Sequence, residues 1–155
     1  MAEPDAGAAA PDFDLPRDGG GRIGLSQLRG RPFVLFFYPR DDTAGCTAES
    51  VDFTALSPEF ATLGVPVVGI SPDSVKSHDK VVRKHAIGVP LASDETLSTL
   101  QAYGVWKEKS MYGRTYMGVE RTTFLVGADG RIVRVWNKVK VKGHAAEVLE
   151  AAKGL

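Results

Sequence analysis

The chain has 155 residues, 43% of them hydrophobic, with one cysteine and 19 basic against 19 acidic side chains. That length suits one well-packed domain, and zero net charge excludes nucleic-acid binding by bulk electrostatics. A single cysteine excludes an internal disulfide and a cysteine-rich zinc site.

The charge is uneven along the chain. Residues 1–100 carry 9 basic and 14 acidic side chains, and residues 101–155 carry 10 and 5. The second part could therefore supply cations to an anionic centre in the first. The opening residues have neither the basic stretch nor the apolar run of a secretory signal. Nothing approaches the ~20 apolar residues of a membrane span. A cytoplasmic protein with no membrane partner is expected.

Residues 1–9, rich in Ala with Pro, Gly and acids, read as a flexible tail. The domain is expected over 10–155. Phe13 and Leu15 alternate with acids as in an edge strand, Gly19–Gly21 is a turn, and Ile23–Leu25 its second arm. No Gly-Lys-Ser/Thr follows the glycines, so they are no phosphate loop. Ser26 is placed to cap a short helical turn.

Phe33–Tyr38 is an unbroken apolar and aromatic run, which reads as a strand buried on both faces. Pro39 ends it, having no N–H for a ladder. Arg40–Thr43 form a turn, Gly45 permits close backbone approach, and a helical pattern starts at Cys46. Phe53, Leu56, Phe60 and Leu63 continue its stripe, and Ser57-Pro58 predicts a kink or restart there.

Val65–Ile70 is a second buried strand, and Ser71–Ser74 leads into a helix bearing Val75, His78, Val81, Val82 and His85. The two histidines are seven apart, whereas a helical metal pair sits at i, i+4; no metal or other cofactor is expected. Pro90–Ala92 is a short strand, Glu95–Tyr103 a short helix, and Val105–Met117 an irregular basic-aromatic segment. Arg121–Gly127 is a third strand. A turn at Ala128–Gly130 joins it to a return strand, Ile132–Val139, and His144–Lys153 is a closing amphipathic helix. Early βαβ units and a late hairpin predict a single-domain α/β, thioredoxin-like fold, a central mixed sheet flanked by helices.

The lone thiol therefore sits at a strand-to-helix junction. Free N–H groups and the helix dipole there favour a thiolate over a thiol. Thr43 can aim its hydroxyl at the sulfur or at something bound beside it, and Pro39 offers a rigid apolar wall.

Pro39-x-x-x-Thr43-x-x-Cys46 resembles the active-site signature of the peroxiredoxins, thiol-dependent peroxidases. Further blocks resemble the bacterioferritin-comigratory, or Q-type, subfamily: Phe36–Glu49, Gly69–Ser74, Tyr103–Trp106, Met111–Gly113 and Glu120–Leu125. The resemblance implies that Cys46 is the peroxidatic cysteine, that Pro39 and Thr43 shape its pocket, and that Arg121 stands beside the thiolate. With backbone N–H groups of Gly45 and Cys46, Arg121 would hold a hydroperoxide in line. Glu49 either hydrogen-bonds that arginine or complements the helix N-terminus. Phe37, Tyr38, Trp106 and Met117 are candidates for an apolar lining that admits alkyl hydroperoxides.

One departure stands out. Where many Q-type members have a resolving cysteine, this chain has Val51, and Ser77–Ala86 contains none either. A Cys46 sulfenic acid would then be recycled by an external thiol such as thioredoxin, glutaredoxin or a low-molecular-weight thiol. A monomer is expected. The alternatives are a peroxide-sensing thiol protein and a non-catalytic thioredoxin-like binding module.

Overall fold

The computed structural model describes residues 3–155. A hairpin of β1 (Asp14–Pro16) and β2 (Arg22–Gly24) leads through the turn α1 (Leu25–Leu28) to β3 (Phe33–Phe37). Next come α2 (Ala44–Thr62), β4 (Val67–Ser71), α3 (Val75–His85) and β5 (Leu91–Ser93). The chain continues with α4 (Ser98–Ala102), β6 (Trp106–Met111) and β7 (Arg114–Val119), and ends with β8 (Thr122–Val126), β9 (Ile132–Trp136) and α5 (His144–Lys153).

The main sheet has the order β5-β4-β3-β8-β9. β3 lies at its centre, parallel to β4 and antiparallel to β8, and all of its residues are buried. Burying each such side chain contributes ~1.5–3 kcal/mol, so this unbroken apolar run belongs at the centre. Phe33, Leu35 and Phe37 face a cluster with Phe13, Leu100 and Tyr103. Val34, Phe36 and Tyr38 face the other side, against Cys46, Phe53 and Phe60 of α2 and Val148 and Leu149 of α5. The expected mixed sheet with helices on both faces is present.

Several local expectations need correction. α2 runs without a break through Pro58. The missing N–H of Pro58 would have served the Thr54 carbonyl, and Ser57 Oγ donates to that oxygen instead, at 2.7 Å. Residues 105–117, expected to be irregular, hold most of the β6–β7 hairpin. Its turn is Tyr112-Gly113, both at positive φ (52° and 76°), the pattern of a tight hairpin turn. α1 begins after Gly24 rather than at Ser26, and the Gln27 side chain accepts the Gly24 N–H at 2.6 Å.

Of residues 1–9, expected to form a loose tail, Met1 and Ala2 lie outside the described residues. Gly7 N–H donates to Ile132 O at 2.7 Å, Ile132 N–H to Ala8 O at 2.8 Å, and Ala10 N–H to Gly130 O at 2.9 Å. These bonds cover the start of the β9 edge.

Candidate active site

The site forms where β3 ends at the sheet's centre. Tyr38 still gives its backbone N–H to Ile70 O at 3.1 Å, and the half-buried Pro39 then closes the strand. Thr43 takes the N-cap position of α2, with extended backbone. Its side chain does not cap the helix. Its hydroxyl donates to Arg40 O at 3.2 Å, which leaves the oxygen as an acceptor for an incoming O–H. Cys46 follows in the first turn of α2 and is only 3% exposed.

Arg121 approaches from the segment between β7 and β8. Its carbonyl accepts the Val139 N–H at 3.0 Å, and the preceding Glu120 N–H donates to Val105 O at 2.8 Å. So anchored, the guanidinium forks. Nη2 stands 3.2 Å from Cys46 Sγ, and Nη1 donates to Glu49 Oε1 at 2.7 Å. Gly45 makes room for this: a Cβ there would come 3.3 Å from Arg121 Nη2.

The electrostatics follow from burial. Glu49 is 1% exposed. Burial pushes its carboxyl up to about 7, against the charge and hydrogen bond of Arg121 and with help from Asp52. Burial also works against the Arg121 cation, but Glu49 and Cys46 outweigh it and raise its pKa further. Among the described residues, Glu49 Oε2 has no hydrogen-bond partner.

Cys46, Arg121, Glu49 and Gly45 thus meet directly, while Pro39 and Thr43 lie on the loop that enters α2. For Glu49, the arginine contact is the one formed. Tyr38 packs in the same apolar cluster as Cys46. Phe37 and Trp106 belong to the cluster on the opposite face of the sheet, so neither lines this site; Met117 is exposed on the hairpin. His78 bonds to Asp41 and His85 to Asp42. Among the described residues, no group of three or more His, Cys, Asp and Glu could hold a metal ion. Nothing in the sequence spacing marked the buried contact of His78 with Asp41, 37 residues away.

A buried cysteine sulfur in the first turn of a helix, 3.2 Å from an arginine nitrogen, sets a nucleophilic atom beside a fixed cation. The family model described as the AhpC/TSA family matches residues 6–135. The chain belongs to the AhpC/TSA family. A peroxiredoxin Bcp of Bacillus subtilis is 42% identical over 151 residues, covering 97% of this chain and 96% of the relative. One from Xanthomonas campestris is 47% identical over 146 residues, covering 93% and 91%. A solved structure of the Xanthomonas campestris bacterioferritin comigratory protein is 45% identical, with TM-score 0.87, covering 92% of this chain and 90% of that one. The chain is a peroxiredoxin of this kind, a thiol-dependent peroxidase with the thioredoxin-like fold. Peroxide is its substrate class and a thiol its reductant class. No helix among the described residues is long and apolar enough to cross a membrane.

Proposed function

We propose that Cys46 is the attacking nucleophile of this peroxidase and that it works as a one-cysteine enzyme. The thiolate attacks the terminal oxygen of a hydroperoxide, a sulfur–oxygen bond forms, and the O–O bond breaks. The departing alkoxide or hydroxide takes a proton and leaves as alcohol or water, and Cys46 becomes a sulfenic acid. Two equivalents of an external thiol then return it to the thiol, releasing water and a disulfide. The observation that carries this reading is Arg121 Nη2 at 3.2 Å from Cys46 Sγ. From there the guanidinium donates to the sulfur and to the charge building on the departing oxygen.

In this reading Thr43 Oγ1 accepts the O–H of the bound peroxide, Pro39 keeps water from the sulfur, and Glu49 fixes the arginine. The backbone N–H groups of Gly45 and Cys46 add donors. The Xanthomonas bacterioferritin comigratory protein is described by its alkyl peroxide reduction activity. Alkyl hydroperoxides are therefore proposed substrates beside hydrogen peroxide.

An external reductant is proposed because Cys46 is the only thiol in the chain. Thioredoxin, glutaredoxin and a low-molecular-weight thiol are the candidates. We place the enzyme domain at residues 10–155, acting as a monomer in the reducing cytoplasm.

Turnover of hydrogen peroxide and an alkyl hydroperoxide with each donor class tests the reading. Sustained turnover with at least one donor, abolished in Cys46→Ser, is expected. No turnover with any donor would overturn it.

A further inference from the structure

The loop that delivers Cys46 is held from outside the site by a buried, hydrogen-bonded pair of side chains. Asp41, between Pro39 and Thr43, is buried with His78 of α3, which has no exposed surface. Its carboxylate receives Tyr38 OH on Oδ1 at 2.7 Å. On Oδ2 it receives Ser77 Oγ and His78 Nδ1, each at 2.7 Å. The Asp41 backbone N–H donates to Asp73 Oδ2 at 2.8 Å. Burial pushes the Asp41 carboxyl up, but His78, Ser77 and Tyr38 outweigh it and leave it below the usual range. It is therefore an anion.

The other ring nitrogen of His78, Nε2, faces the Ala92 carbonyl at 3.1 Å. Both ring nitrogens thus face oxygen atoms, which fixes the ring between the loop and β5. The next loop residue, Asp42, has a left-handed backbone, φ 59°, a conformation that surroundings must hold in place. Its carboxylate is held by Lys84 at 2.9 Å and His85 at 3.0 Å, again from α3. α3 thus grips two consecutive residues immediately before Thr43.

We infer that Asp41 and His78 are positioning residues for the peroxide reaction, clamping the cysteine loop to α3 so that Thr43 and Cys46 face the peroxide in register with Arg121. Neither touches the substrate. The inference rests on the peroxidase reading above. It follows from that chemistry that the attacking sulfur, Thr43 and Arg121 must converge on one oxygen, where a misplacement of about 1 Å costs on the order of 100-fold. Simple alkylation of the same sulfur by iodoacetamide needs no such convergence.

The test therefore compares two reactions of Cys46 in each variant: sulfenic acid formation with hydrogen peroxide and alkylation with iodoacetamide. In His78→Leu, the peroxide reaction is expected to slow on the order of 100-fold while alkylation changes only a few-fold. The neutral pair Asp41→Asn with His78→Gln, which keeps a hydrogen bond across the same gap, is expected to recover most of the peroxide rate. An unchanged peroxide rate in His78→Leu would overturn the inference, as would an equal fall in both reactions. Should His78→Leu fail to fold, Ser77→Ala removes one donor to Asp41 from the same helix. It must slow the peroxide reaction several-fold and spare alkylation, and equal effects would overturn the inference. Wild-type protein that forms no sulfenic acid at all would overturn the peroxidase reading itself, and the clamp with it.

Discussion

Arg121 and Cys46 lie 75 residues apart in sequence and meet with Nη2 3.2 Å from Sγ. The second arm of the guanidinium is held by Glu49 at 2.7 Å, so the cation is fixed before any substrate arrives. Preorganised charge of this kind needs no rearrangement when the oxygen–oxygen bond breaks.

Arg121→Lys keeps the charge but loses the rigid fork, and one ammonium group does not reproduce its two fixed donor directions toward Glu49 and the sulfur. The peroxide rate is expected to fall by about 10²–10³, the usual cost of one lost transition-state donor. Rapid-quench kinetics of sulfenic acid formation measures it. A rate within a few-fold of wild type would mean that charge alone suffices.

Gly45→Ala separates stability from activity. An added methyl within a helix stabilises by roughly 0.5–1 kcal/mol, but here it comes 3.3 Å from Arg121 Nη2 and pushes the guanidinium aside. The expected variant melts at an equal or higher temperature and reacts with peroxide several-fold more slowly. Thermal unfolding and the peroxide rate, measured together, check both halves.

The Glu49 carboxyl ionises at about 7 in the fold against an ordinary 4.5, because burial favours its neutral form. The folded state therefore holds a proton that the unfolded chain has released. This contribution to stability is complete below pH 4.5 and is lost as pH rises through about 7. Its size is on the order of 3 kcal/mol. Glu49→Gln does not titrate, so its stability relative to wild type should improve between pH 5 and pH 8. Urea unfolding of both proteins across that range reads the difference.

His144 works in the opposite direction. Burial, opposed by Glu147 and assisted by Arg121 and Arg134, drives its imidazole down to about 4 from an ordinary 6.5. As pH falls below 6.5 the unfolded chain gains a proton that the fold refuses. The stabilisation is complete above pH 6.5 and lost as pH falls through about 4. His144→Gln, which keeps a group able to bond the Thr123 hydroxyl now 2.8 Å from Nε2, should lose less stability than wild type between pH 7 and pH 4.5. Unfolding midpoints at those two pH values decide it.

Much of this was legible in the sequence where the signal was local. An unbroken run from Phe33 to Tyr38 can hardly be anything but a central strand, and a thiol placed just after a proline-ended strand marks a helix start. Arg121 was legible only through the block Glu120–Leu125, because nothing local links it to a sulfur 75 residues away. The β6–β7 hairpin was missed because much of it is solvent-exposed, which erases the apolar alternation, and because Tyr112-Gly113 is an unusual turn pair. Ser57-Pro58 read as a break because the rescue of the Thr54 carbonyl by a hydroxyl leaves no trace in a periodicity. The Asp41–His78 pair joins a loop to a later helix through the fold alone.

The central claim is that Cys46, aligned by Arg121, is a peroxide-reactive nucleophile. The most direct measurement mixes reduced protein with hydrogen peroxide, quenches at intervals, and weighs the intact chain. Rapid gain of one oxygen atom, absent in Cys46→Ser and much slower in urea-unfolded protein, is predicted. Oxidation no faster in the folded protein than in the unfolded chain would contradict the account, because the fold would then contribute nothing to the chemistry of its only thiol.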